Sequence, residues 1–316
     1  MKRRICFGVV FGLMLLVIGT PIHATPISGV VAFGDSLSDN GNLYRYTRRP
    51  PAPYYEGRFS NGPVWVEYLT DKLDSPLDDR AFGGATTSNY NYATGQDNWG
   101  LKWQIDNYLA TPPPSNAHDL YTVWAGANDF FANPTTDPSV SVNNIGYALE
   151  RLSNAGARKI LIINVPDLGT TPAYSKDANM SALATAWSTD FNDALTSSLA
   201  VFESTFNGHL YTIDAFTAFD AIASQFLNTT DAYLSDGLIA GLNPDDFVYW
   251  DGVHATTRAH HLLAGIAHQT IAPIPEPATL ILLGVGIIGL AGLGRKKFFK
   301  RKMPLPDSVV EREDSV

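Results

Sequence analysis

The chain has 316 residues, of which 45% are hydrophobic, 11% aromatic and 17% charged, which excludes disordered, fibrous and collagen-like chains and gives one large or two modest globular domains. Residues 25–274 carry 12 Lys and Arg against 26 Asp and Glu, a net of −14 that opposes binding to nucleic acid and to acidic lipid surfaces. The only cysteine, Cys6, leaves no disulfide and no thiolate metal cluster to stabilise the body, so its core must do so.

Residues 1–24 open with Lys2-Arg3-Arg4, run apolar from Ile5 to Ile18 and end on Ile22-His23-Ala24, the pattern of a secretory signal peptide. An uncleaved anchor is the alternative, although the run is shorter than the ~20 residues a membrane span prefers. Cys6 lies at the start of the apolar run rather than after it, which argues against lipid attachment there.

Next comes an apolar strand at Ser28–Phe33, closed by Gly34, and a weak strand near Arg80–Phe82. Further strands are predicted at Leu120–Trp124, Lys159–Asn164 and His209–Ile213. Apolar residues three and four apart predict helices over Asn144–Ala155, Ser181–Phe206 and Thr257–Ile271. Strands alternating with helices imply an α/β body with a parallel sheet covered on both faces. Residues 44–62 and 86–118, rich in Pro, Tyr, Asn and Gly, read as long surface insertions bordering a cleft. Their Tyr54, Tyr55, Tyr90, Tyr92, Trp99 and Trp103 suit an apolar cleft wall, a sugar-stacking surface or simple packing of the insertions.

After the body, Pro275-Glu276-Pro277 leads into an apolar run, Ala278 to Gly294, and a basic cluster, Arg295 to Lys302. Seventeen residues at ~1.5 Å rise extend about 25 Å, enough for a single span in a slightly thinned bilayer. Basic residues on the outer side of both apolar runs place the body across the membrane from the cytoplasm. A polar tail, 303–316, follows.

Four short stretches bear chemistry. In Gly34-Asp35-Ser36-Leu37 a serine directly follows a buried strand, at the sheet edge where open α/β folds bind ligands; a helix N-cap is the alternative role. In Asp251-Gly252-Val253-His254 the carboxylate can accept from imidazole Nδ1–H and leave Nε2 to take a hydroxyl proton, although Asp-x-x-His also occurs in surface turns. Gly83-Gly84-Ala85 offers unobstructed backbone N–H groups, and Gly126-Ala127-Asn128-Asp129 puts an amide just after a strand. A tight turn and a helix start are their simpler readings. His260, His261 and His268 form no metal-ligand set with neighbouring residues.

In this order the four stretches resemble the GDSL or SGNH hydrolases, and the resemblance spans nearly all of residues 28–271. Gly57-Arg58-Phe59-Ser60-Asn61-Gly62-Pro63 and Asn164-Val165-Pro166-Asp167-Leu168-Gly169 match further blocks of that family. Asp79 stands where many members have Asn, and Ala255 replaces a common Pro after the histidine. The resemblance implies a three-layer α/β/α, flavodoxin-like domain over residues 25–274. It makes Ser36 the nucleophile, His254 the base, Asp251 its orienter, and the Ser36 N–H, the Gly84 N–H and the Asn128 side chain an oxyanion hole. The implied activity is hydrolysis of carboxylic esters through an acyl-enzyme, with a lipid, a short-chain ester or an acylated polysaccharide as substrate and with no metal or organic cofactor. A non-catalytic surface or matrix polysaccharide-binding protein on the same scaffold is the rival.

Residues 275–302 resemble the PEP-CTERM sorting signal, which implies export to the periplasm, cell surface or medium, at least transient anchoring and processing by an exosortase-type protease. The tail from Met303 to Val316 departs from that pattern, in which the basic cluster normally ends the chain.

Overall fold

The computed structural model describes residues 27–110 and 116–272. The expected signal peptide, the C-terminal span and the polar tail lie outside the described residues. Among those described, no helix is long and apolar enough to cross a membrane.

Five strands, β1 (Val30–Gly34), β2 (Leu77–Asp79), β3 (Leu120–Trp124), β4 (Lys159–Ile163) and β5 (His209–Ile213), form one sheet in the order β2-β1-β3-β4-β5. Every neighbouring pair is parallel. Two short strands, β6 (Asn228–Ala232) and β7 (Phe247–Tyr249), pair separately. The helices are α1 (Asn42–Thr47), α2 (Trp65–Leu73), α3 (Leu101–Ala110), α4 (Ala127–Ala132), α5 (Pro138–Asn154), α6 (Ala178–Thr205), α7 (Ala215–Ala223), α8 (Leu238–Ala240) and α9 (Thr257–Ile271).

Side chains alternate across a strand, so a sheet covered on both sides needs apolar residues at every position. Val31 and Phe33 of β1, Tyr121 and Val123 of β3, and Ile160 and Ile162 of β4 share one core with α3, α5 and α6. The intervening Val30, Ala32, Leu120, Trp124, Leu161 and Ile163 face a second core with α2, α7 and α9. The body is therefore the expected three-layer α/β/α domain with a flavodoxin-like strand order. That order reverses between β1 and β3, and ligands in such folds bind outside the carboxyl ends of those strands.

Several expectations are corrected. The weak strand lies at Leu77–Asp79, not Arg80–Phe82: Leu77, Asp78 and Asp79 pair with Val30, Val31 and Ala32, after which the chain turns. Residues 86–118 are not simply a surface insertion, because they contain α3, whose Leu101, Gln104 and Ile105 are buried. Helix α5 starts at Pro138, well before Asn144, because the Asp137 side chain accepts the Ser139 N–H at 2.9 Å and proline suits the first turn.

At the end of β1 the backbone crowds its neighbour. A Cβ on Gly34 (φ 148°) would lie 2.1 Å from the Trp124 carbonyl oxygen, so only glycine fits there. Buried Gln104 completes this strand end: its Oε1 accepts the Gly34 N–H at 2.9 Å, and its Nε2 donates to the carbonyls of Gly34 at 2.8 Å and Trp99 at 2.9 Å. Gln104→Leu leaves the Gly34 N–H buried without a partner and is expected to lower the unfolding free energy by about 1–3 kcal/mol in urea titrations. An unchanged midpoint would show that the strand end does not need this amide.

Candidate active site

The loop after β1 carries Ser36, and the loop after β7 carries Asp251 and His254. His254 Nε2 lies 2.8 Å from Ser36 Oγ, while Nδ1 lies 2.7 and 2.9 Å from the two Asp251 oxygens. Asp251 Oδ1 also accepts the backbone N–H groups of Val253 at 2.9 Å and His254 at 2.8 Å, which closes the Asp-x-x-His segment into one turn. Tyr54 donates its hydroxyl to Asp251 Oδ2 at 2.6 Å. The Phe59 ring lies 4.9 Å from the imidazole.

Charges follow from these contacts. Burial opposes ionisation of Asp251, but the charge of His254, its hydrogen bond and that of Tyr54 outweigh burial and pull the carboxyl down to about 2. Burial likewise opposes the imidazolium, yet the charge and hydrogen bond of Asp251, with the charge of Asp35, hold His254 above the usual 6.5. Burial and the neighbouring carboxylate raise the Tyr54 phenol, so it remains a donor.

The segments carrying Ser36, Gly84 and Asn128 are held together by two buried carboxylates. Asp39 accepts backbone N–H groups from Gly41 at 2.7 Å, from Asn42 at 2.5 Å, from Leu43 at 3.1 Å and from Gly83 at 2.7 Å. It thereby ties the loop after Ser36 to the turn containing Gly84. Asp129 accepts from the Thr87 N–H at 2.9 Å, the Thr87 hydroxyl at 2.7 Å and the Ser141 hydroxyl at 2.9 Å, which joins α4, and so Asn128, to the segment after that turn. Gly84 is left-handed (φ 79°), and a Cβ there would lie 2.5 Å from that of Ala93. Asn128 donates Nδ2 to the Ala85 carbonyl at 3.1 Å; one of its two amide hydrogens serves that bond.

A cleft opens on Ser36, Asn128 and His254, and its wall is mostly apolar, with Leu37, Phe131, Leu168, Phe219 and Val253 beside Asp35 and Thr171. Gly84 is not among its lining residues. None of Tyr54, Tyr55, Tyr90, Tyr92, Trp99 and Trp103 lines it either. Trp99 instead stacks on Phe82 at 5.3 Å and Trp103 meets that ring edge-on, so these two support the glycine turn. The block at residues 57–63 clamps the histidine loop: Ser60 Oγ donates to the Ala255 carbonyl at 2.9 Å, and Asn61 Oδ1 accepts the Thr257 N–H at 2.8 Å. His260 is buried with Nδ1 accepting the Trp65 N–H at 3.3 Å, and burial, helped by the charge of His254, pushes it down to about 3. Among the described residues no group of His, Cys, Asp and Glu could hold a metal ion.

Sequence reasoning missed the roles of Tyr54, Asp39 and Asp129. Tyr54 had no local signal, because its partner is 197 residues away. Asp129 stands inside a recognised motif and Asp39 two residues after another, which was the available clue.

Comparison with known proteins identifies the family. Residues 30–266 match the family described as GDSL-like lipase/acylhydrolase. The chain belongs to that family. Residues 273–296 match the PEP-CTERM protein-sorting motif, which gives the chain a hydrolase domain followed by a sorting signal. Among curated relatives, a phosphatidylcholine-sterol acyltransferase of Aeromonas hydrophila is 36% identical over 181 residues, which cover 53% of each chain. A thermolabile hemolysin of Vibrio parahaemolyticus is 29% identical over 268 residues, 75% of this chain and 62% of that one. The chain thus spans less than two thirds of the length of either relative. A solved carbohydrate acetylesterase family member from Sinorhizobium meliloti is 18% identical, with a TM-score of 0.48 over 77% of this chain and 97% of its own.

Asp35 sits next to the nucleophile with its carboxyl raised to about 7, because burial and the charge of Asp129 outweigh the Leu37 N–H, the charge of His254 and the Asn128 amide. A buried acid with a raised pKa stabilises the fold while protonated, and that stability is lost as pH rises from about 4 through about 7. Asp35→Asn mimics the protonated form. Its melting temperature relative to wild type is expected to rise between pH 5 and pH 8; a constant difference would refute the raised pKa.

Proposed function

We propose that this GDSL-family hydrolase cleaves carboxylic esters with Ser36 as nucleophile, Asp251 and His254 as its activating pair, and the Ser36 N–H, Gly84 N–H and Asn128 amide as oxyanion donors. The observation that carries the reading is the unbroken line of hydrogen bonds from Asp251 through His254 to Ser36 Oγ, open to an apolar cleft. A serine hydroxyl is a weak nucleophile at neutral pH, so His254 Nε2 takes its proton as Oγ attacks the acyl carbon. The carbonyl oxygen gains charge, and preorganised donors of this kind contribute on the order of 10²- to 10³-fold each in comparable sites. When the tetrahedral species collapses, His254 gives the proton to the departing alcohol. Water, deprotonated by the same imidazole, then releases the acid and restores Ser36.

The apolar cleft wall favours an acyl chain over a polar group, and the relative acting on phosphatidylcholine, as its name states, is compatible with a lipid ester. Export to the cell surface or medium, with exosortase-type processing and anchoring through residues 275–302, is the destination proposed from the sorting motif; residues 1–24 are the proposed signal peptide. A pure binding role accounts poorly for an imidazole aligned on a serine hydroxyl.

Ser36→Ala is expected to reduce hydrolysis of p-nitrophenyl octanoate by at least about 10⁴-fold and to abolish labelling by a fluorophosphonate probe. Unchanged turnover in the folded variant would end the proposal. The base must be neutral to accept a proton, so kcat/KM is expected to rise with pH through an apparent pKa above 6.5, as Asp251 and Asp35 hold the imidazolium. A limb below 6, or a flat profile from pH 5 to 9, would remove His254 from the role of base.

A further inference from the structure

A second depression is lined in part by residues that contact His254, Asp251 and Gly84. Leu43, Pro50, Pro51, Tyr54, Phe59 and Ala93 give it an apolar lining, and Arg48 and Arg49 stand on it. Three of these residues touch the proposed machinery: Phe59 packs on the His254 ring, Tyr54 bonds to Asp251, and Ala93 abuts Gly84.

Its polar inventory is one-sided. The hydroxyls that line it are directed into the protein: Thr47 to the Leu43 carbonyl at 2.9 Å, Thr94 to Asn91 Oδ1 at 3.2 Å and Tyr54 to Asp251. What remains for a ligand is hydrocarbon and two exposed guanidinium groups. Arg58, Arg80 and Arg151 all have carboxylate partners, whereas among the described residues neither Arg48 nor Arg49 has one. Arg48 also ends α1 in the left-handed conformation (φ 60°), where glycine is the usual residue. Arg48 lies over the Tyr44 ring at 5.5 Å, and it and Arg49 stand side by side without a carboxylate in a body with a net charge of −14.

We propose that this groove is an anion subsite for a single amphiphilic ester, a phospholipid whose phosphate pairs with Arg48 and Arg49 while its ester reaches Ser36. The assignment of this ligand as a substrate rests on the hydrolase reading above. Guanidinium matches phosphate through charge-assisted, paired hydrogen bonds, and the apolar lining takes the adjoining hydrocarbon. A neutral sugar would find no free hydroxyl or amide partner there. The acidic body repels an extended anionic surface, but at ~8 Å screening length that repulsion is weak against direct contact with one phosphate, so the ligand is a monomer rather than a membrane face.

The test separates binding from catalysis. Full-length Ser36→Ala protein is titrated by calorimetry with monomeric decyl phosphate, alongside the same protein carrying Arg48→Gln and Arg49→Gln. The paired substitution is expected to weaken binding about tenfold or more, and oligogalacturonate is expected not to compete. Equal affinity in the two proteins, or equal competition by the acidic oligosaccharide, overturns the subsite. In the Ser36 protein, the ratio of kcat/KM for dioctanoyl phosphatidylglycerol over uncharged dioctanoylglycerol is expected to fall about tenfold with the same pair of changes; an unchanged ratio overturns the substrate assignment. If the unaltered protein cleaves no ester at all, the hydrolase reading and that substrate assignment fail, while the calorimetry still decides whether the groove binds an anionic amphiphile.

Discussion

One contact, Ser36 Oγ to His254 Nε2 at 2.8 Å, joins loops 218 residues apart, and the geometry around it is arranged to hold it. Neither loop could do this alone. Ser36 follows β1, a strand buried on both faces, whose end is fixed by Gly34 against Trp124 and by Gln104. His254 is closed into a turn by Asp251 and leads directly into α9, which packs across the second core. The bridge between them is the stretch around Ser60 and Asn61, which bonds to Ala255 and Thr257 on one side and precedes α2 on the other.

That arrangement explains what could be read from the sequence. Strands β1, β3 and β4 were legible because a parallel strand between two helical layers is a short apolar run ended by Gly, Pro or a polar residue, whereas β5 is an edge strand in which only Ile213 is buried. Strand β2 was not: Leu77-Asp78-Asp79 is a half-buried edge strand whose polar residues give no period. Helix α3 was hidden among Pro-, Asn- and Gly-rich neighbours, although Leu101, Gln104, Ile105 and Tyr108 carry the spacing of a helix face. Gln104 also disguised it, because a buried amide that pairs with a strand end looks like a surface residue in a hydropathy pattern.

The site divides along the same line. Asp251 and His254 are three residues apart, so their coupling is written locally, and Ser36 is marked by the strand before it. Tyr54 is different. Its bond to Asp251 depends on how an insertion folds back across the molecule, and nothing near residue 54 announces it. Of the readings open for the aromatic insertions, packing holds for Trp99 and Trp103, which are used on Phe82, while the segments following β1, β3 and β4 reach the serine.

The buried acids show why so few residues carry the family resemblance. A carboxylate has about four acceptor sites and no hydrogens, so one side chain can receive backbone N–H groups from separate segments, as Asp39 does from Gly41–Leu43 and Gly83. Asparagine would offer a single acceptor oxygen and set its own hydrogens against the remaining donors. The charge is costly to bury: desolvation raises Asp39 to about 6 despite those four bonds, and raises Asp79, beside it, well above the usual range. Such residues persist where alignment of loops matters more than stability. Two of the oxyanion donors proposed here are backbone hydrogens that cannot be steered by rotamer choice, and the third, the Asn128 amide, is held at the Ala85 carbonyl, so their positions depend on the loops that bear them. Asp39 and Asp129 tie those loops to one another.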